Sequence, residues 1–477
     1  MENNENKLGT MSIPKLLFQV SFPIVISMFI QSMYNLVDSY YIGKINEEAF
    51  TAISIAFPIQ NIMIGIGVGT GVGMNSLLSR YLGEKNYEKS NNTAEVGFFL
   101  AIMYGIILLI LSRFLPRPFL SAQTDNVEII SYGIEYLQIV MGLSMGVFIQ
   151  IFLERALQST GRTIFTMLTQ LIGAILNIIL DPIFIFGYFG LPAMGVKGAA
   201  IATVIGQIIG AICGSIFEYK FNKEIEIKKP VYDPKIIKEI YRVGVPSMIT
   251  IIIQSFTIYI LNKMLSGIST SAIAALGAYF KIQSFVFMPI FGLNNGVVPI
   301  IAYNYGAKKK DRILKTIKLA FISVTVMMLV VSGIVMFFPE ELLSIFSASD
   351  KMLEIGVPML KICALSYIFA GISIVGTSVF QALGNGILAL FDSILRQIIV
   401  LLPVAYIAIK YFTVNEIWWG YVIAEFASVL FVIYFMNTFV KKKLEFIWAL
   451  DGLNVENFLI LMYYEFNLNN PRRKYNG

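Results

Sequence analysis

The chain has 477 residues, 57% of them hydrophobic and only 14% charged, with a formal net charge of +6. Soluble chains carry about 25% charged residues, so an ordinary soluble domain is excluded. Histidine is absent, which excludes a histidine proton relay, histidine-ligated metal and Ser-His-Asp catalysis.

The polar start, MENNENKLGT, lacks the basic region and short apolar core of a cleavable signal. The first apolar span is therefore expected to begin the fold itself. Runs such as LAIMYGIILLILSRFL and LAFISVTVMMLVVSGIVMFF have the length and composition of membrane-spanning helices. Twelve spans are predicted: 17–43, 51–80, 93–115, 132–153, 163–187, 196–218, 237–265, 272–302, 314–338, 355–380, 387–411 and 416–438.

The first span carries Asp38 in QSMYNLVDSYYIG. A carboxylate inside a span costs roughly 2.5–3.5 kcal/mol on insertion scales and is a functional candidate. The second carries GIGVGTGVG, which fits no nucleotide-binding register and follows no strand, so close helix contact or bending is the expected role. At the end of the fourth, Glu154 and Arg155 are expected to pair at the membrane interface. The fifth holds Asn177 and Asp181 in LNIILDPIFIFG, four apart and hence on one helix face. Pro182 lacks an N–H and can leave a carbonyl oxygen free for coordination. The sixth holds Thr203 in the small-residue stretch GAAIATVIGQ. Two carboxylates, an amide and a hydroxyl suit a small hard cation or a shared proton.

The polar stretch KFNKEIEIKKPVYDPKIIKEI divides the chain after six spans. This gives an N-terminal segment 1–16, a first lobe 17–218, a linker 219–236, a second lobe 237–438 and a tail 439–477. In the eleventh span, Asp392 and Arg396 have the four-residue spacing of an internal ion pair. In the twelfth, Glu425 is an acid without an evident partner. Cys213 and Cys363 lie in apolar runs and read as packing residues. The tail reads as irregular rather than as an amphipathic surface helix. No Walker motif, zinc spacing or nucleophile elbow occurs.

The chain also repeats itself. Residues 22–88 align with 245–311 at a constant offset of 223: FPIVISMFIQS becomes VPSMITIIIQS, FPIQ becomes FKIQ, and RYLGEK becomes YNYGAK. QSTGR at Gln158 returns as QALGN at Gln381. An even number of spans per copy makes the repeats parallel, related by an axis along the membrane normal. The expected fold is an all-α membrane protein with 12 transmembrane helices in two parallel six-helix lobes. Lys and Arg divide 26 to 8 between the two sides when both termini are placed in the cytoplasm, the bias of the positive-inside rule. Repeat-related glutamines, Gln31 with Gln254 and Gln60 with Gln283, together with Asn35, are suited either to line a shared cavity or to bridge helices. The acids are not repeated: Asp38 faces Leu261, and Asp181 faces Val404.

Twelve spans in two parallel sixes, Pro23 fifteen residues before Asp38, N-x-x-x-D-P in the fifth span, and Q-x-x-G after the fourth and tenth resemble the multidrug and toxic compound extrusion (MATE) transporters over about residues 12–440. The resemblance implies a V-shaped pair of lobes around a central cavity. It implies cation-coupled (Na⁺ or H⁺) antiport of organic, cationic or amphipathic compounds, with bending of the first helix near Pro23. It further implies a cation site at Asp38, Asn177, Asp181 and Thr203. Gln254 and an acid-free tenth span stand where some relatives carry acids, so no second cation site is expected. The alternative is a lipid-linked saccharide flippase of related fold, which needs a strongly basic cavity. A membrane prenyl or acyl transferase would need carboxylate clusters or a histidine. The expectation is thus a transporter rather than an enzyme, in the cell membrane, functional as a monomer. Its partners are small organic substrates and the lipid bilayer, with no nucleic acid and no cofactor beyond the coupling ion.

Overall fold

A computed structural model describes residues 6–266, 270–345 and 349–445. Among these there is no strand. The spans are α1 (Ile13–Gly43), α2 (Glu47–Gly83), α3 (Tyr87–Leu111), α4 (the bent pair Val127–Gly142 and Met145–Ser159), α5 (Thr163–Phe186) and α6 (Val196–Phe221). They continue with α7 (Pro234–Ser266), α8 (Thr270–Gly306), α9 (Lys310–Phe337), α10 (Asp350–Ala382), α11 (Gly386–Tyr411) and α12 (Asn415–Glu445). The expected all-α membrane fold is present, with twelve spans among the described residues when the bent pair counts as one. The described chain up to Val429 is one compact unit containing both halves of the repeat. From Leu430 to Glu445 the chain is helical, with a π-turn at Met436–Val440. Most of the tail 439–477 lies outside the described residues.

Helix ends follow local chemistry. Asn46, Asn86 and Asn385 each accept a backbone N–H of the first turn that follows, satisfying donors that have no partner within the helix. The repeated Q-x-x-G motif is a turn: Gly161 and Gly384 both adopt left-handed geometry, at φ 78 and 77, where a side chain is disfavoured. The fourth span was expected to be continuous over 132–153 but bends by 47°. Leu143 leaves helical geometry there, at φ −109 and ψ 18, between Gly142 and Gly146.

Pro23 lies inside α1 and its repeat partner Pro246 inside α7. A proline cannot donate to the carbonyl four residues back. For Pro23 that carbonyl belongs to Gln19, and the Thr163 hydroxyl of α5 approaches it at 3.5 Å. One turn after each proline a hydroxyl donates to the proline carbonyl: Ser27 to Pro23 at 3.0 Å and Thr250 to Pro246 at 3.0 Å. α1 is nevertheless one continuous helix.

The halves meet through glycine. On α2, Gly65, Gly69 and Gly73 face α7, while Gly67 and Gly71 face α4. The run expected to permit close helix contact is thus a helix with two bare faces. A side chain on Gly73 would overlap the Ile240 carbonyl, and one on Gly83 the Tyr303 carbonyl. The repeat partner of Gly83 is Gly306, whose added Cβ would overlap the Arg80 carbonyl. α2 and α8 therefore cross backbone to backbone, each through the same glycine of the repeat. We expect Gly83→Ala to cost about 1–3 kcal/mol by overpacking. Gly333→Ala in α9, where an added Cβ meets nothing within 4 Å, should be neutral or stabilising by up to about 1 kcal/mol. Equal shifts in thermal midpoint at the two sites would reject this account.

The N-terminal segment also ties the halves. Asn6 donates to the Thr160 carbonyl at 3.2 Å and to Glu224. The Leu8 carbonyl accepts from Asn304 at 2.9 Å and Arg312 at 2.8 Å, and the Gly9 carbonyl from Lys309 at 3.1 Å.

Three sequence expectations are corrected. Arg396 pairs not with Asp392 but with Glu425 of α12, at 3.3 Å to both carboxylate oxygens. A π-helical stretch begins at Leu395, which removes the α-helical register on which the 392–396 pairing rested. Glu425 accordingly has a partner, and Asp392 accepts from Ser428 at 2.5 Å. Glu154 and Arg155 do not bind each other, since adjacent residues on a helix point different ways. Glu154 accepts from Gln150 at 2.9 Å and Gln170 at 2.8 Å, and Arg155 donates to Gln158 at 3.0 Å and Asn295 at 3.1 Å. Both cysteines are free thiols, and Cys363 is buried.

Candidate functional site

α5 packs on α1 on one side and on α6 on the other. The α5–α6 approach is set by two glycines: a Cβ on Gly173 would lie 3.0 Å from the Gly206 carbonyl, and one on Gly206 2.8 Å from that of Gly173. This close contact brings Asn177 to Thr203. The Asn177 amide donates to the Asp181 carboxylate at 3.1 Å and to the Thr203 hydroxyl at 3.3 Å. Asp181 is fully buried, Asn177 and Thr203 nearly so. Asp38 of α1 lies within electrostatic reach of Asp181. The four candidate residues are therefore one cluster across three helices.

Its unsatisfied atoms are all acceptors. Asp38 Oδ1, Asn177 Oδ1 and Asp181 Oδ2 are buried and accept no hydrogen bond. A buried polar atom without a partner is costly, and three such oxygens in one place fit a bound cation or proton. Among the described residues no group of three or more acidic, thiol or imidazole side chains is arranged to hold a metal. An ion here would complete its shell from amide, hydroxyl and carbonyl oxygen, ligands that suit hard cations. Pro182 follows Asp181 and deprives the Ile178 carbonyl of its helical donor.

A cavity of 430 Å³ opens beside this cluster. Tyr34, Asn177 and Thr203 form part of its wall, whereas Asp38 and Asp181 are not among its lining residues. Several linings are repeat pairs, 223 residues apart: Ser27 with Thr250, Gln31 with Gln254, Val72 with Asn295, and Gln158 with Gln381. The cavity therefore straddles the axis of the repeat but is not symmetric. The first half contributes α1, α2, α4, α5 and α6, the second only α7, α8 and the end of α10. At the same offset, Gly173 corresponds to Arg396 and Gly206 to Val429. Where glycine lets α5 and α6 meet closely beside the cavity, the corresponding places on α11 and α12 carry side chains, and Arg396 bonds Glu425 of α12.

Of the five predicted cavity residues, Gln31 and Gln254 line this space. Gln60 instead donates to the Tyr136 hydroxyl at 2.9 Å and Gln283 to the Tyr279 hydroxyl at 3.1 Å. These two bridge or stay within helices, and Asn35 is exposed. Sequence reasoning missed Tyr34, within electrostatic reach of both Asp38 and Asp181. Its place four residues before Asp38, on the same helix face, was the available signal. Glu154 and Arg155, expected at the interface, line the cavity too.

A family model described as MatE matches residues 23–183 and 246–407. The two matched segments begin at Pro23 and Pro246, one repeat apart. The chain is 28% identical over 417 residues to multidrug export protein MepA of Staphylococcus haemolyticus, covering 87% of this chain and 91% of the relative. It is 29% identical over 417 residues to MepA of Staphylococcus saprophyticus, again covering 87% and 91%. A solved multidrug resistance MATE family transporter of the MOP superfamily, in an outward-facing conformation, superimposes with a TM-score of 0.86. That comparison has 22% identity and covers 93% of this chain and 99% of the other.

Proposed function

Because the chain belongs to the MatE family, whose members are multidrug transporters and not enzymes, we propose that it exports organic cationic or amphipathic compounds in exchange for Na⁺ or H⁺. The observation that carries the coupling is the adjacency of the two sites. Three donor-free buried oxygens of Asp38, Asn177 and Asp181 adjoin a cavity whose wall includes Tyr34, Asn177 and Thr203.

Substrate occupies the cavity and the ion occupies the cluster beside it. Asn177 and Thr203 belong to both, so a change on one side is felt on the other. Filling the cluster favours an arrangement of α1, near Pro23, in which the substrate is held less well. An ion drives export only through its different affinity for the two arrangements. Moving a two-state equilibrium from 1:99 to 99:1 requires about a 10⁴-fold difference. The charge bias supports an orientation with both termini in the cytoplasm, with substrate entering from that side. The protein acts in the cell membrane as a monomer, its two lobes divided by the 219–236 linker.

We expect wild-type protein in vesicles to expel an amphipathic cation when an inward Na⁺ or H⁺ gradient is imposed, the two gradients being varied independently. Efflux indifferent to both would overturn the coupling while leaving the family assignment intact. The flippase alternative gains little, because the cavity lining includes an acid, Glu154, beside Arg155 rather than presenting a strongly basic surface.

A further inference from the structure

One carboxylate in the cavity has no part in the ion cluster. Glu154 lies on α4, is 7% exposed and lines the cavity wall. Its oxygens accept one amide N–H each, from Gln150 at 2.9 Å and Gln170 at 2.8 Å, and its backbone carbonyl accepts from Thr166 at 3.3 Å. An ionised carboxylate offers about four acceptor positions, so this one keeps capacity unused by the amides. Arg155 is adjacent in sequence, but its guanidinium is committed elsewhere, to Gln158 and across the halves to Asn295.

The surrounding amides share the same bias. Gln170 spends its N–H₂ on Glu154, leaving Oε1 buried without a donor. Gln207 of α6 also lines the cavity with a buried, donor-free Oε1. Buried acceptors without donors are expensive. A carboxylate and two amide oxygens lining one cavity call for a ligand that brings positive charge and several N–H groups together.

We propose that Glu154, with Gln170 and Gln207, forms a recognition site for cations bearing N–H donors, such as amidinium, guanidinium or primary ammonium groups. It is separate from the Asp38/Asp181 cluster. The site favours these cations over quaternary ammonium or phosphonium ions, which offer charge without donors. The planar N–H pair of an amidinium matches a carboxylate in bidentate fashion, and the glutamine oxygens take the outward N–H groups. Lipophilic cations without N–H leave those oxygens unpaired, and binding discrimination of that origin is large. The inference rests on the transport reading for its biological meaning, but its test needs binding alone.

The test uses the purified full chain in lipid nanodiscs, without any ion gradient. Affinity is measured by calorimetry for an aromatic diamidine and for tetraphenylphosphonium. The wild type should prefer the diamidine. Glu154→Gln should lower the diamidine-to-phosphonium affinity ratio about tenfold or more, the loss expected for a charged hydrogen bond. Gln207→Leu, which changes no charge, should lower the ratio in the same direction by a smaller factor. An unchanged ratio in both variants, with thermal midpoints near wild type, overturns the proposal. So does a wild type that binds neither probe, or that binds both equally. Efflux that fails under both gradients, while the ratio shifts as expected, counts against the antiport reading and not against this site.

Discussion

Replacing Asp38 and Asp181 together by asparagine is expected to lower ion-driven efflux on the order of 100-fold, the upper range of a typical coupling free energy, while leaving the protein at least as stable as the wild type. The two effects have opposite signs for one physical reason. Asp38 and Asp181 sit within each other's field in a low-dielectric wall, with Oδ1 of one and Oδ2 of the other accepting no hydrogen bond. Burying charge without compensation opposes folding. Asparagine has nearly the same shape and brings an N–H₂ that can satisfy the neighbouring oxygens, so the fold is relieved. What disappears is the ability to hold a cation or proton. Efflux from vesicles under the driving gradient and the thermal midpoint of the same preparation settle the matter together. Loss of activity with a large fall in midpoint would mean that the acids are structural. Wild-type efflux from the double variant would remove the site from the mechanism altogether.

Arg396→Met is expected to destabilise the protein by about 3–5 kcal/mol, the cost of stripping the partner from a buried ion pair. The Arg396 guanidinium and the Glu425 carboxylate are only 15% and 14% exposed. Asp392 stands nearby, bonded to Ser428. Removing the arginine leaves the Glu425 carboxylate unpaired within the field of Asp392 in an apolar setting. The companion variant Arg396→Met, Glu425→Leu should recover most of the loss, because replacing a whole buried pair with apolar groups is often neutral or better. Thermal unfolding of the two variants reads the difference. Equal midpoints would show that the pair carries no such strain, and a further loss in the double variant would make Glu425 stabilising without its arginine.

The two experiments address opposite sides of the repeat. Between α5 and α6, glycine at positions 173 and 206 keeps the helices close and the cavity wall open. Between α11 and α12 the corresponding places hold Arg396 and Val429. The same architecture is hollow on one side and filled with a charged brace on the other. Only the hollow side carries the acids suited to an ion.

Much of this is legible in the sequence. Apolar runs of spanning length demand helices, because backbone polar groups in lipid must be satisfied within the segment. The offset of 223 then dictates two parallel copies, and the unrepeated acids single out the first. The four-residue spacing of Asn177 and Asp181 was sound because α5 is regular α-helix there, and the two are hydrogen-bonded. The same spacing failed for Asp392 and Arg396, because a π-turn intervenes and no residue type announces one.

Periodicity and composition thus determined the span count, the repeat and which half holds the buried acids, since these depend on each helix alone. Which polar side chains face a common space depends on how helices cross, and tertiary structure alone decided it. Backbone-to-backbone glycine contacts set those crossings. They put Gln31 and Gln254 in the cavity and left Gln60 and Gln283 on tyrosines. They also turned Glu154 from a presumed interface residue into the cavity's own acid. A sequence records the glycine, but the partner that its missing side chain admits is known only once the neighbouring helix is in place.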